Sequence, residues 1–177
     1  MAMTLITTNT SSGAATSSFT SSIDSTYKLY IFEYYDVNPV TDGAYFQFQA
    51  NAAGASDYNE TMTTTSFLAY NMEDDSGGAI GYESGDDQAQ GTAFQHLTHP
   101  LGNGGDESAV GQLFLFNPSN TTYVKHFYAT DNAYHYTNGA FSNFVAGYIN
   151  TTTAIDDIQF KMSSGNMDAV IKMYGVG

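Results

Sequence analysis

The sequence predicts an all-β fold, a single antiparallel β-sandwich of jelly-roll type. Three observations favour this class. Apolar and polar side chains alternate with a period of two in several short segments, which turn residues such as Gly, Asn and Pro separate. Aromatic residues make up 15% of the chain, as 14 Tyr and 12 Phe, and both types favour pleated, half-buried surfaces. No apolar period of 3.6 residues persists beyond two turns, which argues against long helices.

The N-terminal residues differ in composition from the remainder. Residues 1–22 are mostly Ser, Thr, Ala and Asn, and predict a flexible arm or an edge strand that becomes ordered against a neighbour. Residues 23–177 are expected to form the sandwich. A chain of 177 residues suits one domain that buries roughly 70% of its unfolded surface. Cysteine is absent, so no disulfide contributes to stability.

The first predicted strands follow this arm. Residues 27–37 are apolar or aromatic on both alternating sets, which predicts a central strand covered on both faces. Pro39 and Gly43 indicate a turn over 38–43, after which 44–50 alternates and is predicted to pair with the first strand. The next segments predict strands at 60–70, 92–97, 110–116, 123–129, 133–137 and 144–150, and a long acidic loop at 71–90.

The C-terminal segment 155–177 has the clearest alternation in the chain. Apolar residues recur at every second position on both sides of a four-residue SSGN segment: Ile158, Phe160, Met162, Met167, Ala169, Ile171 and Met173. This pattern predicts a β-hairpin that closes the domain, with those side chains in the core and SSGN as its turn.

The charge balance excludes several partners. The formal net charge is -14, from 18 acidic residues against four lysines and no arginine. Nucleic acids and anionic membranes need basic surfaces, and phosphorylated ligands are usually held by arginine, so we expect none of these partners. The N-terminal residues resemble neither a signal peptide nor a transmembrane helix, and we therefore expect synthesis in the cytoplasm without signal-directed export.

No catalytic, metal or cofactor site is predicted. His96 and His99 are three apart, but on a strand this spacing sends them to opposite faces, and His126 and His135 lie alone in strand patterns. Acidic pairs in Gly-rich loops, such as the one in 102–108, only distantly resemble a calcium-binding repeat. Motifs of hydrolases and nucleotide-binding proteins are absent from the sequence.

Tyrosines are the candidate binding residues. The rings of Tyr34, Tyr128, Tyr134, Tyr136 and Tyr148 are predicted on an outer face or at loop tips, where they can stack on a sugar or anchor a protein interface. The alternative is that these rings fill the edge of the core and only their hydroxyls reach the surface.

Three segments carry a resemblance to a known group of proteins. SSIDSTYKLYIFEYY at 21–35, FNPSNTTYVKHF at 116–127 and the closing IQFKMSSGNMDAVIKMYG are similar to small virion proteins of tailed phages, especially phages of marine and cyanobacterial hosts. The resemblance spans the chain from about Ser21 onward. It implies a structural component on the particle exterior, such as a capsid decoration or knob protein, or a tail-associated adhesion domain, and it transfers no catalytic motif.

The expected function is therefore non-enzymatic. The chain is predicted to lie on the exterior of a phage capsid and to contact the major capsid protein, other virion proteins or its own copies, with trimers suiting local three-fold positions. The alternatives are a tail or fibre domain that recognises a host surface glycan, and a secreted carbohydrate-binding or carbohydrate-active protein.

Overall fold

The computed structural model describes residues 2–177, which form thirteen strands and no helix. The strands are β1 Met3–Ala14, β2 Ser17–Phe19, β3 Leu29–Pro39, β4 Phe46–Ala52, β5 Met62–Met72, β6 Gly78–Tyr82, β7 Ala89–Gly91, β8 Gln95–His96, β9 Ala109–Phe116, β10 Lys125–His135, β11 Gly139–Ile149, β12 Ile155–Met162 and β13 Met167–Val176. Since residues 2–177 are without helices, none of them forms a membrane-spanning helix.

Two antiparallel sheets pack together, which confirms the predicted all-β sandwich. The large sheet has nine strands in the order β1-β13-β3-β9-β10-β11-β5-β6, with β7 also paired to β5. The small sheet has four strands in the order β2-β12-β4-β8. β2, β4, β8 and β12 belong to the small sheet, and the strands before and after each of them belong to the large sheet. Eight connections therefore join the two layers directly.

The predicted closing hairpin is wrong in its pairing. β12 pairs with β2 and β4 in the small sheet, whereas β13 pairs with β1 and β3 in the large sheet. The SSGN segment crosses the edge of the sandwich, and Gly165 within it adopts the left-handed conformation at φ 70°. The predicted core residues of both strands are buried, since each strand turns its apolar side inward from a different sheet. Alternation identifies the inward side of a strand but not its neighbour.

The same correction applies to the pairing predicted for 27–37 and 44–50. Residues 38–43 carry the chain from β3 in the large sheet to β4 in the small sheet. β3 is flanked by β13 and β9, so it is central as predicted, but it is not covered on both faces, since Tyr35 on its outer side is 36% exposed. β4 lies opposite it across the core.

Residues 3–19 belong to the sheets of their own chain. β1 pairs with β13 over almost its whole length as an edge strand of the large sheet, and β2 pairs with β12 at the edge of the small sheet. The segment predicted as an arm is thus an edge strand, but it is ordered against its own chain. In this segment, Ile6 of β1 packs against the core and Phe19 of β2 is buried within it.

Two further differences concern the predicted strand boundaries. The segment 71–90, predicted as a loop, contains the exposed strand β6 and most of β7 at the edge of the large sheet. Segments 123–129 and 133–137 form one continuous strand, β10, because 130–132 continue the ladder with β9. The large sheet is accordingly wider than the sequence indicated.

An aromatic cluster at the centre of the sandwich joins the two sheets. The ring of Phe160 on β12 lies 5.6 Å from Phe32 of the large sheet, 5.6 Å from Phe46 and 6.4 Å from Phe48 of the small sheet, between ring centroids. All four side chains are fully buried. Truncating a buried Phe to Ala typically costs about 3–5 kcal/mol, so this cluster is a major contribution to the stability of the sandwich.

The outer faces of the two sheets differ in how the chain covers them. The outward side chain of Gln49 on β4 is fully buried, and its Nε2 lies within 3.2 Å of the backbone carbonyl oxygens of Glu60, Thr92 and Ala93. Two loops therefore cover the outside of the small sheet. The outside of the large sheet from β9 to β5 has exposed and half-exposed side chains instead.

Candidate functional site

The outer side of four neighbouring strands in the large sheet forms the candidate site. Burial alternates along β9, β10, β11 and β5, so every second side chain points away from the core. We call this surface the aromatic face. Its outward side chains are Val110, Gln112, Phe114 and Phe116; His126, Tyr128, Thr130, Asn132 and Tyr134; Ala140, Ser142, Phe144, Ala146 and Tyr148; and Thr63, Thr65, Phe67, Ala69 and Asn71.

Two pairs of stacked rings dominate the aromatic face. Phe67 and Phe144 are directly opposite on β5 and β11, and their rings are nearly parallel with centroids 4.8 Å apart. Phe114 and Tyr128 are opposite on β9 and β10, with centroids 4.5 Å apart. Phe67, Phe144 and Tyr128 are 41%, 43% and 42% exposed. Stacking on the cross-strand neighbour therefore fixes the position of each ring and covers part of it. The exposed part of the ring is available for contact with another molecule.

The aromatic face contains no formal charge at neutral pH. None of its outward side chains is Asp, Glu or Lys, and His126 is its only imidazole. The chain as a whole carries 18 acidic residues, most of which lie in loops or at strand ends. An uncharged aromatic surface on so acidic a chain is typical of the buried centre of an interface, from which charged residues are depleted.

A shallow depression of about 320 Å³ borders the aromatic face over β3, β9 and β10. Its lining includes the polar residues Glu33, Gln112, Thr130, Asp131 and Asn132, and Tyr35 forms one wall. Gln112 Nε2 donates to Glu33 Oε1 at 2.8 Å, and the Tyr35 hydroxyl donates to the other carboxylate oxygen. The hydrogen bond with Glu33 raises the pKa of Tyr35 to about 12. The depression thus combines amide, hydroxyl and carboxylate groups with an aromatic ring.

The structure distributes the five predicted tyrosines differently. Tyr128 and Tyr148 lie on the aromatic face, and Tyr134 lies at its end, where its hydroxyl is 3.4 Å from Asn138 Oδ1. Tyr136 is exposed in the turn after β10. The prediction for Tyr34 is wrong, because this ring points inward and is fully buried.

The phenylalanines of the aromatic face were not predicted as binding residues. Phe67, Phe114 and Phe144 follow or precede inward apolar residues in segments such as QLFLF, so both alternating sets look apolar. This pattern is typical of a strand covered on both sides, as in a central strand. β5, β9 and β11 contain no carboxylate in either alternating set, and the one carboxylate of β10, Asp131, points inward, so the sequence carries no signal that distinguishes the outward set.

The histidines do not follow the prediction from strand spacing. β8 ends at His96, and the chain turns before His99, so both imidazoles approach the buried carboxylate of Asp86. His96 Nδ1 is 2.8 Å from Asp86 Oδ1, and His99 Nε2 is 3.4 Å from Asp86 Oδ2. This cluster anchors the loop that follows β6. Within residues 2–177, no three His or acidic side chains are grouped so that they could hold a metal ion.

The acidic loop 102–108 uses its carboxylate internally. Glu107 Oε2 accepts a hydrogen bond from the backbone N–H of Gly104 at 2.7 Å. The Glu107 backbone N–H in turn donates to the Gly104 carbonyl oxygen at 3.1 Å. The Glu107 carboxylate therefore closes a turn of its own loop.

Four buried polar atoms behind the aromatic face are without hydrogen-bond partners. They are Tyr34 Oη, Asp131 Oδ2, Asn143 Oδ1 and Ser66 Oγ, on four strands of the large sheet. Burial raises the pKa of Asp131 well above its ordinary value, although the backbone N–H of Asn143 donates to its other oxygen at 3.4 Å. These groups lie on the inward side of their strands, and Tyr34 and Asp131 form the buried floor of the depression over β3, β9 and β10.

No protein-family model matches the chain, and no significant similarity to a curated protein or to a solved structure was found.

Proposed function

We propose that this chain is a non-enzymatic structural protein on the exterior of a phage particle, where it attaches through protein–protein contacts as a capsid decoration or knob protein. The observation that carries the proposal is the uncharged aromatic face on a chain of net charge -14. Such a surface suits burial against another protein, since aromatic residues are enriched and carboxylates are depleted at interface centres.

The strand order supports the proposal. The sequence of neighbours β1-β13-β3-β9 in one sheet and β2-β12-β4-β8 in the other is the arrangement expected of an eight-stranded jelly roll, which β10, β11, β5 and β6 would widen. Jelly rolls recur in viral capsid proteins and in lectins. The resemblance of 21–35, 116–127 and the closing segment to phage virion proteins favours the first of these classes.

Localisation on intact particles tests the proposal. We expect cryo-electron microscopy of the encoding phage to place this chain on the outer surface of the capsid. Particles carrying Phe114→Glu should lose occupancy, whereas Tyr123→Glu should retain it, because Tyr123 is 70% exposed in the loop before β10 and is not one of the outward side chains of the aromatic face. A chain that is absent from purified particles would contradict the proposal.

A glycan-binding adhesion domain on the tail is the second candidate. The depression beside Tyr35 favours it, because Gln112, Thr130 and Asn132 offer hydrogen-bonding groups next to a ring, as sugar sites do. Glycan arrays, run with millimolar calcium and with chelator, should then show binding that Asn132→Ala abolishes. Localisation to the tail alone would favour this candidate over capsid decoration, and silence on the arrays would remove it.

A further inference from the structure

The outer side of the large sheet is broad enough for a stable protein interface. From β3 to β6 it spans six neighbouring strands. With strands about 4.8 Å apart and about eight residues each at roughly 3.3 Å, the four strands of the aromatic face cover about 500 Å², and β3 and β6 on either side extend this area to about 750 Å². A standard interface buries about 800 Å² on each partner. The aromatic face together with its two flanking strands therefore has the dimensions of a contact surface, with Glu33 of β3 at its rim.

The charge distribution indicates the kind of partner. A basic partner would gain from carboxylates at the contact, yet the aromatic face lacks them although the chain has 18 acidic residues. A second copy carries the same net charge of -14, so two copies repel each other. This repulsion is weakest when they meet at surfaces that have no carboxylate. An uncharged face on an acidic chain thus fits a partner of like charge.

The geometry of the face suits contact with itself. The stacked pair Phe67–Phe144 and the pair Phe114–Tyr128 present flat, half-exposed rings from adjacent strand pairs. Between copies related by a two-fold axis, each patch meets the same patch in the opposite orientation. Sheets pack face to face at about 10 Å with interdigitating side chains, which rings held by cross-strand neighbours can fill.

We propose that the aromatic face binds a second copy of this chain in a face-to-face, two-fold dimer. The inference rests on the proposed function in one respect, that the face serves a protein contact. The partner in that contact is a second copy of the chain. Because a two-fold contact joins copies only in pairs, the trimer expected from the sequence would require another surface.

Sedimentation over a range of protein concentrations tests the dimer. We expect the wild-type chain to dimerise, and more tightly at 500 mM than at 50 mM salt, because salt screens the repulsion between acidic copies (the screening length falls from about 14 Å to about 4 Å). Phe144→Glu and Tyr128→Glu should each weaken dimerisation about 30-fold or more, as expected for central aromatic anchors. Tyr123→Glu, the matched exposed control, should dimerise as the wild type does.

A second measurement removes the ambiguity of a variant that fails to fold. The chain has no cysteine, so Asn132→Cys introduces a single thiol on the aromatic face, and Thr121→Cys introduces one on an exposed loop. A short bismaleimide should cross-link copies through position 132 and not through position 121. Wild-type protein that stays monomeric to about 1 mM, or a dimer that both Glu variants retain, would overturn the proposal.

The outcomes also separate this inference from the proposed function. If the wild type is monomeric in solution but Phe114→Glu still abolishes particle occupancy, the face contacts the shell and the dimer is wrong. If the dimer forms but purified particles lack the chain, the dimer stands and the virion proposal is wrong. Glycan binding that Tyr128→Glu abolishes, in a monomeric wild type, would make a sugar the occupant of the face.

Discussion

The hydroxyl of Tyr34 lies where a side chain at Gly111 would be. The two residues are paired on β3 and β9, and a Cβ added to Gly111 would lie 2.5 Å from Tyr34 Oη and 2.6 Å from the Thr130 carbonyl oxygen. Glycine is therefore required at this position because a fully buried ring passes over the neighbouring strand. The pair also explains why Tyr34 is a core residue and not a surface anchor.

Substitution Gly111→Ala should destabilise the protein. The added methyl group meets a backbone carbonyl and a ring, neither of which can move far in a close-packed interior. Overpacking of this kind costs about 1–3 kcal/mol, which chemical denaturation will measure as a lower unfolding midpoint. Gly81→Ala is the control, because a Cβ there meets nothing within 4 Å. Equal stability of the two variants would contradict the close approach of Tyr34.

Substitution Tyr34→Phe should leave the stability unchanged or raise it. The Tyr34 hydroxyl is buried without a hydrogen-bond partner, and an unpaired buried polar group costs about 1–3 kcal/mol. Removing the oxygen also relieves part of the clash in Gly111→Ala, so the double variant should lose less than the sum of the single effects. Tyr30→Phe is the comparison, because its hydroxyl accepts from the Asp24 backbone N–H at 2.9 Å, and we expect a loss.

Substitution Asp131→Asn should stabilise the protein at neutral pH. Burial raises the pKa of Asp131, so the folded state holds its proton while the unfolded state releases it above about pH 4. This linkage lowers stability as the pH rises from about 4 toward the folded pKa. We expect Asp131→Asn to gain stability at pH 7, because the amide folds without taking up a proton, and to gain little at pH 3, where the unfolded carboxyl is already protonated. Thermal unfolding at both pH values checks the sign, and a loss at pH 7 would contradict it.

Acid should weaken the fold through His135. Burial, and then the nearby His99, lowers the pKa of His135 to about 4, against an opposing effect of Asp42. The unfolded imidazole binds its proton near pH 6.5, so stability contributed by the neutral ring is present above that pH and is lost as the pH falls toward 4. The loss should reach about 2–3 kcal/mol by pH 4.

The variant His135→Gln isolates this contribution. Its stability should change less between pH 7 and pH 4 than that of the wild type, in denaturation curves recorded at each pH. His126→Gln, on the exposed side of β10, should keep the wild-type pH dependence. A wild-type slope in His135→Gln would assign the acid sensitivity to another group.

Truncation should separate β1 from β2. Phe19 on β2 is 3% exposed, and its ring centroid lies 5.2 Å from that of Phe32 and 6.1 Å from that of Phe160. Phe19→Ala should therefore cost about 3–5 kcal/mol, whereas Leu5→Ala, at a position 51% exposed, should change stability by no more than about 0.5 kcal/mol. Removal of residues 1–14 should leave a folded sandwich, and removal of 1–22 should not. Similar unfolding midpoints for the two truncations would contradict the role of Phe19 in the core.

The positions of the strands were easier to predict than the strands with which they pair. Alternation around Phe160 and Ile171 identified two strands and their buried sides, because a period of two follows from backbone geometry alone. It carried no information on whether the SSGN segment folds back within one sheet or crosses to the other. That choice depends on which distant strands, here β4 for β12 and β3 for β13, supply the partners.

The candidate site was predicted in part for a similar reason. Tyr128 and Tyr148 were identified by residue type, but adjacent Tyr34 and Tyr35 look alike in the sequence, and both alternating sets of β3 are rich in apolar and aromatic residues. His96 and His99 meet at Asp86 because β8 ends between them. Local irregularities of this kind depend on tertiary packing, which a pattern of single residues does not contain.

The pairing of β1 with β13 determines how the molecule would respond to force. The two strands are antiparallel, and the Ala2 backbone N–H donates to the Gly177 carbonyl oxygen at 3.1 Å, so the first and last described residues lie side by side. Tension applied between these residues would open the β1–β13 ladder one hydrogen-bonded pair at a time, and not shear all pairs together. A cargo and a tether fused to these two ends would emerge from the same edge, and a pull between them would peel off β1 before it loads the core around Phe160.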